Sequence, residues 1–355
     1  MKAIQWGFLT IYPYGLCVAG GVLVCMIWML IRERHGAFVR GTASWFAVLG
    51  IPLAVSGARL LFFLSSLDRF LDRGMGEALN LTGGGYLFYG AFGGLALAGW
   101  ITGKRTRQPA GTVLDAAAAP AALMIAAARM GESLVRMGAQ QNIQIGYGRN
   151  ILDWFDAYTG QAFVTWDDPS PLFRYPFAIQ DYYGEWNFGI FFLEAVAALV
   201  IFLILICWKN RLPGTRAMAF LSLYACCQAV LESMRSDAVA RLGFIKFGQL
   251  SLGFVKVNQL MALPVLLLVV SIALHRIRRR TPWLFVLGYG SILLGCGVIA
   301  AMEFALEEKI RILLWMRMDL CYLVMALAAI GMIIAVCSII RRSDKEGGEA
   351  VIPET

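Results

Sequence analysis

Apolar residues in this chain come in long blocks near twenty residues each, divided by short stretches rich in lysine and arginine. Neither the two-residue alternation of half-buried strands nor the single apolar stripe of a surface helix dominates. A helix crosses the hydrocarbon of a bilayer with about 20 mostly apolar residues. Nine stretches meet that length: 13–31, 44–66, 84–103, 112–134, 186–208, 217–235, 250–274, 283–303 and 319–340. The fourth is rich in alanine and has Asp115, Arg129 and Glu132 inside it or at its ends. Between the fourth and fifth, from Gly138 to Glu185, the chain is polar, aromatic and proline-bearing, the only connection long enough for a small element outside the membrane.

The basic residues choose sides. Arg32, Arg34 and Arg40 fall in one connection, Lys104, Arg105 and Arg107 in another, and Lys209, Arg211 and Arg216 in a third. Arg276, Arg278, Arg279 and Arg280 follow, and then Arg341, Arg342 and Lys345. These groups occupy alternate connections only if all nine stretches span, so parity supports the weak fourth one. Lysine and arginine mark the cytoplasmic side. The expected fold is therefore an all-α integral membrane protein, a polytopic helical bundle of about nine transmembrane helices. Its N-terminus lies outside, its C-terminus inside, and 138–185 outside.

Composition agrees. Of 355 residues, 59% are hydrophobic and 15% charged, with a mean hydropathy of +0.68. Soluble domains carry roughly 25% charged residues. The net charge of +8 records orientation, so it does not argue for a nucleic-acid partner. Two histidines, His35 and His275, exclude a multi-histidine metal centre. All eight cysteines lie in apolar stretches and none has CxxC spacing, which suits packing residues better than disulfides or metal ligands. The N-terminal stretch lacks a clean cleavage site and reads as a retained first span.

Ionisable groups within a bilayer are costly and so become candidates for function. They are Arg59, Arg129, Glu132, Glu194, Glu232, Arg235 and Lys256, with Asp115 at the inner end of its span. Lys256 is near enough to the outer end to snorkel and receives no role. Arg129 with Glu132, and Glu232 with Arg235, stand three apart and so share a helix face. They could be self-neutralised pairs that orient the bundle. They could equally line a cationic cavity for a lipid phosphate, which arginine binds in bidentate fashion. Glycines crowd the start of the third span, at Gly83-Gly84-Gly85 and Gly90, Gly93 and Gly94, with Tyr86 and Tyr89 among them. Close helix packing explains the glycines; the tyrosines suit either an interfacial belt or a headgroup contact.

Several of these pieces, in this order, resemble the bacterial prolipoprotein diacylglyceryl transferases. The elements are Tyr14-Gly15-Leu16, Gly57-Ala58-Arg59, the glycine-rich run from Gly84 to Gly94, and Asp115 with Pro120. Further along come Ala128-Arg129-Met130-Gly131-Glu132, Gly148-Arg149, Pro176-Phe177-Ala178, Glu194, Gln228 to Arg235, and Asn258-Gln259 to Pro264. The resemblance runs from about residue 12 to 275. It implies a membrane core over 1–275 with an extracytoplasmic segment at 138–185. Two additional transmembrane helices over 276–340 and a solvated cytoplasmic tail over 341–355 would follow.

The implied activity moves the diacylglyceryl group of phosphatidylglycerol onto the lipobox cysteine of a prolipoprotein, with release of glycerol phosphate. Partners would be phosphatidylglycerol, the prolipoprotein signal peptide and the bilayer of the bacterial cytoplasmic membrane. No cofactor or metal is implied. Arg129, Tyr89 and Glu232 would be catalytic, and Tyr14, Arg59, Glu132, Glu194, Gln228 and Arg235 would bind substrate. Three positions depart from the family pattern: Tyr89 stands where the family has histidine, Gln228 where it has arginine, and Glu132 where it has asparagine. A non-catalytic lipid-binding relative is therefore the alternative. A transporter is weaker, because no internal repeat is found.

Overall fold

The computed structural model describes residues 4–6, 9–11, 13–67, 70, 85–134, 147–150, 175–180, 186–235, 246–247, 250–251, 256–277, 281–307, 309 and 316–349. Most of the 138–185 segment, and the side chain of Arg149, lie outside the described residues. The helices are α1 (Pro13–Arg34), α2 (Thr42–Ser65), α3 (Phe88–Thr106), α4 (Ala110–Glu132) and α5 (Ile190–Cys207). They continue as α6 (Thr215–Met234), α7 (Val257–Arg276), α8 (Pro282–Leu306, with one π-helical turn at Val286–Gly290) and α9 (Met318–Glu349). Short antiparallel strands pair Ile4–Trp6 with Leu9–Ile11 and Lys246–Phe247 with Leu250–Ser251; Trp186–Gly189 lies between Tyr147–Asn150 and Ala178–Gln180.

Among the described residues, eight of these helices are long and apolar enough to cross a membrane. The chain is thus an all-α polytopic membrane protein. The span expected at 84–103 does form a helix, α3, but its glycines and the terminal Lys104 and Arg105 make it less apolar than the others. It is carried by its neighbours, packing along α2 and against α4. All eight cysteines are free thiols.

The α2–α3 seam explains the glycine cluster as packing. A Cβ on Gly57 would overlap the Gly90 carbonyl oxygen, one on Gly90 the Gly57 oxygen, and one on Gly94 the Leu53 oxygen. Only glycine lets the two backbones meet this way. The main core runs through α3 to α9 and includes Tyr89, Ala122, Ile201, Ala225, Leu266, Ile292 and Met325. α9 packs against α6, α7 and α8, so the two C-terminal helices belong to one body with the rest.

Two carboxylates fasten one end of the bundle. Asp115 accepts from Asn210 Nδ2, Gly214 N and Ala217 N at 2.7 to 2.8 Å. It therefore caps orphan amides at the start of α6, a structural duty. Asp344 accepts from Arg211 N and Leu212 N and from Thr215 Oγ1. The chain beyond Arg341, expected as a solvated tail, instead continues α9 to Glu349 with Ser343 and Asp344 buried. The amides of the α5–α6 turn need an acceptor, and Asp344 supplies it.

Candidate functional site

The other end of the bundle gathers the C-terminal ends of α4, α6 and α8 and the N-terminal ends of α5 and α7. Alternating helix direction thus brings residues far apart in sequence to one depth. Arg129 and Glu132, one turn apart on α4, pair at 2.6 Å. Glu194, in the first turns of α5, holds both Arg129 at 3.2 Å and Arg235 at 2.6 Å. Arg235 reaches back to Glu132 at 3.2 Å. Two arginines and two glutamates therefore alternate in a closed four-membered network. Arg129, Glu132, Glu194, Gln228 and Glu232 are each no more than 5% exposed. Buried charges persist only when paired and hydrogen-bonded.

Glu232 and Arg235 do not pair with each other as their spacing suggested. Helix α6 ends at Met234 and Arg235 is extended, with φ −75° and ψ 133°, which turns its guanidinium towards α4 and α5. Glu232 instead accepts from Gln228 Nε2 at 2.6 Å, and the same nitrogen donates to Glu194 at 3.0 Å. Gln228 is thus a neutral bridge where an arginine would give a third cation.

Lys256 is not snorkelling. Its ammonium is buried and donates to the carbonyls of Glu232, Ser233 and Arg235 at 2.6 to 2.9 Å. These are carbonyls left open where α6 ends, and a cation there also meets the negative end of the helix dipole. The lysine thereby sets the exit direction that delivers Arg235.

Tyr14 is half-buried on α1, within electrostatic reach of Glu132, Arg129 and Arg235. Gly131 makes room for it: a Cβ there would stand 2.6 Å from Cys17 and 3.4 Å from the Tyr14 ring. Phe88 lies under the Arg129 guanidinium, 4.7 Å from ring centroid to carbon. Behind it, Tyr89 is buried edge-on to Tyr224, with ring centroids 6.0 Å apart. The Tyr89 hydroxyl has no hydrogen-bond partner among the described residues. Arg59 is placed differently. It donates to the Gly85 carbonyl at 3.2 Å and lies against Phe62, Phe70 and Tyr86. Its described partners are these and not members of the ion network.

One carboxylate escaped the sequence reading. Glu303, near the end of α8, is 5% exposed and accepts from Ser233 Oγ in a short hydrogen bond. Gln259 Nε2 lies 3.5 Å from the same carboxylate oxygen and 3.2 Å from the Ala229 carbonyl. The signal in the sequence is a glutamate that closes the apolar block 283–303.

Fold and site together define a polytopic membrane protein with a buried, charge-compensated arginine and carboxylate centre at one end of its helices. A family profile described as prolipoprotein diacylglyceryl transferase matches residues 1–275. This chain belongs to that family. Curated relatives include the phosphatidylglycerol–prolipoprotein diacylglyceryl transferases of Streptococcus pneumoniae serotype 4 and serotype 19F. Each is 26% identical over 284 residues, covering 79% of this chain and 95% of the relative. Helices α8 and α9 lie beyond the matched residues.

Proposed function

We propose that this protein transfers the diacylglyceryl group of phosphatidylglycerol to the lipobox cysteine of prolipoproteins in the bacterial cytoplasmic membrane. The observation that carries this reading is family membership across residues 1–275. In the reaction, the cysteine sulfur attacks the glyceryl carbon bearing the phosphate. A carbon–sulfur bond forms as the carbon–oxygen bond to the phosphate breaks. Glycerol phosphate leaves, and the thiol proton passes to a carboxylate or to the departing phosphate.

Arg129 stabilises charge developing on the leaving phosphate, worth most in a water-excluded site. Arg235 and Gln228 orient the headgroup, and Glu132 and Glu194 hold the two guanidinium groups ready for it. Glu232 is the candidate proton acceptor on α6, and the Tyr89 hydroxyl, without a partner among the described residues, is available to hydrogen-bond the substrate. Tyr14, on α1, stands within electrostatic reach of both guanidinium groups and adds a hydroxyl for the substrate. Arg59, with its separate partners, serves as a binding residue for a more distant part of the lipid or the signal peptide.

Purified protein given phosphatidylglycerol and a lipobox peptide should raise the peptide mass by one diacylglyceryl group. Arg129→Gln should abolish that shift while phosphatidylglycerol is still offered in excess. No shift, under conditions where a related transferase works, overturns the reading. Lipid that binds without turnover would instead identify a non-catalytic relative.

A further inference from the structure

At the end of the bundle opposite the ion network, the C-terminus of α5, the α5–α6 turn and the last turns of α9 enclose a cavity of about 350 Å³. Its lining is Cys207, Trp208, Lys209, Arg211, Arg341, Asp344 and Lys345, so four cations face one carboxylate. That carboxylate is already engaged. Asp344 Oδ1 takes hydrogen bonds from Leu212 N and Thr215 Oγ1, and both its oxygens take one from Arg211 N. Among the described residues no ion pair joins Lys209, Arg211, Arg341 or Lys345 to an acid.

We propose that this cleft is a binding site for the phosphodiester headgroup of an anionic glycerophospholipid, separate from the centre that performs the transfer. Rules of membrane orientation require basic residues in a loop, but they do not require four of them to converge on a cavity where, among the described residues, Asp344 is the one acid. Like charges held together repel unless an anion joins them. The cleft is also built. Asp344 fixes the α5–α6 turn from α9. Gly347 and Gly348 let α9 lie directly on that turn, because a Cβ on either would press on Leu212 or Arg211. Arg341 stacks on Trp208 with 4.8 Å between guanidinium carbon and ring centroid, and Arg216 Nη2 donates to the Trp208 carbonyl at 2.8 Å. Two groups are thereby held in place before any ligand arrives.

The lipid, as opposed to a soluble phosphate, is indicated by what adjoins the cleft. The outer face of α5 exposes Leu199, Leu203 and Ile206 in a stripe that ends at exposed Cys207. Acyl chains lying along this stripe would bring a headgroup to the basic cavity at the depth where helices leave the hydrocarbon. Basic pockets at helix ends are suited to anionic headgroups. Part of the cleft is formed by α9, which lies outside the family match, so the site is expected only in chains that carry this helix.

The test uses the full chain, purified in detergent, stripped of lipid and exposed to dioleoylphosphatidylglycerol or dioleoylphosphatidylcholine, with bound lipids counted by native mass spectrometry. A triple variant (Lys209→Gln, Arg211→Gln, Lys345→Gln) removes exposed cations and leaves the Arg341–Trp208 stack and Asp344 intact. The wild type should hold one phosphatidylglycerol more than this variant, with affinity for that lipid falling at least tenfold. The single reversal Lys345→Glu should weaken it in the same direction. Because the readout is the difference of one lipid between variants, it stands whether or not the transfer centre holds a lipid of its own. Equal counts and affinities in wild type and triple variant overturn the proposal, as does equal uptake of zwitterionic phosphatidylcholine. Millimolar glycerol phosphate should fail to displace the lipid; efficient displacement would assign the cleft to a soluble phosphate and overturn the lipid reading.

Discussion

Arg129 is the residue on which both the chemistry and the stability of the site turn, and its two carboxylate partners make those demands compete. In the resting site Glu132 and Glu194 occupy the guanidinium face that a phosphate needs. Replacing Glu132 by glutamine should therefore have opposite effects on two measurements. Breaking a buried pair costs about 3–5 kcal/mol, so the denaturation midpoint in detergent should fall. Affinity for phosphatidylglycerol should rise, because one competing carboxylate is neutralised on Arg129 and Arg235. Unchanged or weaker lipid binding would show that Glu132 does not compete with the headgroup. At this scale the sequence located the ionisable residues within the spans and was poor on who pairs with whom. The Arg129–Glu132 contact followed from a three-residue spacing on an uninterrupted helix. The same spacing failed for Glu232 and Arg235 because α6 stops between them, a boundary set by Lys256 from another helix. Lys256 was misjudged for the same reason: a lysine near a span end usually reaches water, and nothing local announces three buried carbonyls waiting for it.

The elements show two kinds of dependence, one of backbone on backbone and one of helix on distant helix. The α2–α3 seam is of the first kind. Gly94→Val should destabilise by more than the roughly 1–3 kcal/mol of ordinary overpacking, because the obstruction at Leu53 is a carbonyl and not a side chain that can turn away. The expected readout is a lower thermal midpoint and loss of monodisperse protein; a fully stable variant would mean the helices can separate without harm. Glu303 is of the second kind. Its removal in Glu303→Leu strands the buried Ser233 hydroxyl, about 1–3 kcal/mol for an unsatisfied group, while Gln259 keeps the Ala229 carbonyl. Glu303→Gln, which keeps an acceptor oxygen, should restore most of that loss in the same unfolding measurement. The span positions were legible because apolar blocks of membrane length leave few alternatives. The contribution of α8 to the site was not, since it depends on how the last two helices fold back on α6 and α7.

For the whole molecule, the basic groups of the short connections at Arg32 to Arg40, Lys104 to Arg107, Lys209 to Arg216 and Arg341 to Lys345 fall on the side of Asp115 and Asp344, while the ion network and Glu303 share the opposite end. The orientation that this implies, with the N-terminus outside and the C-terminus inside, is testable in cells. A cysteine added after Thr355 should resist a membrane-impermeant thiol reagent until cells are opened. A cysteine at Gly138, in a chain whose exposed native thiol is replaced, should react in intact cells. The opposite pattern would invert the topology. The alternation of lysine and arginine groups was the support for the fourth stretch, 112–134, and a helix of membrane length, α4, stands there. The third stretch entered the count by its own length, yet its helix, α3, is too rich in glycine to qualify by apolarity, and its place in the bundle comes from α2 and α4, which cover it. That seam also has a mechanical consequence. Where two helices touch through carbonyls and glycine α-carbons, there are few side chains to re-pack, so sliding or hinging between them has no low-energy path. α2 and α3 should move as a single slab. Any doorway that opens for a two-tailed lipid must then lie elsewhere on the wall than between these two helices.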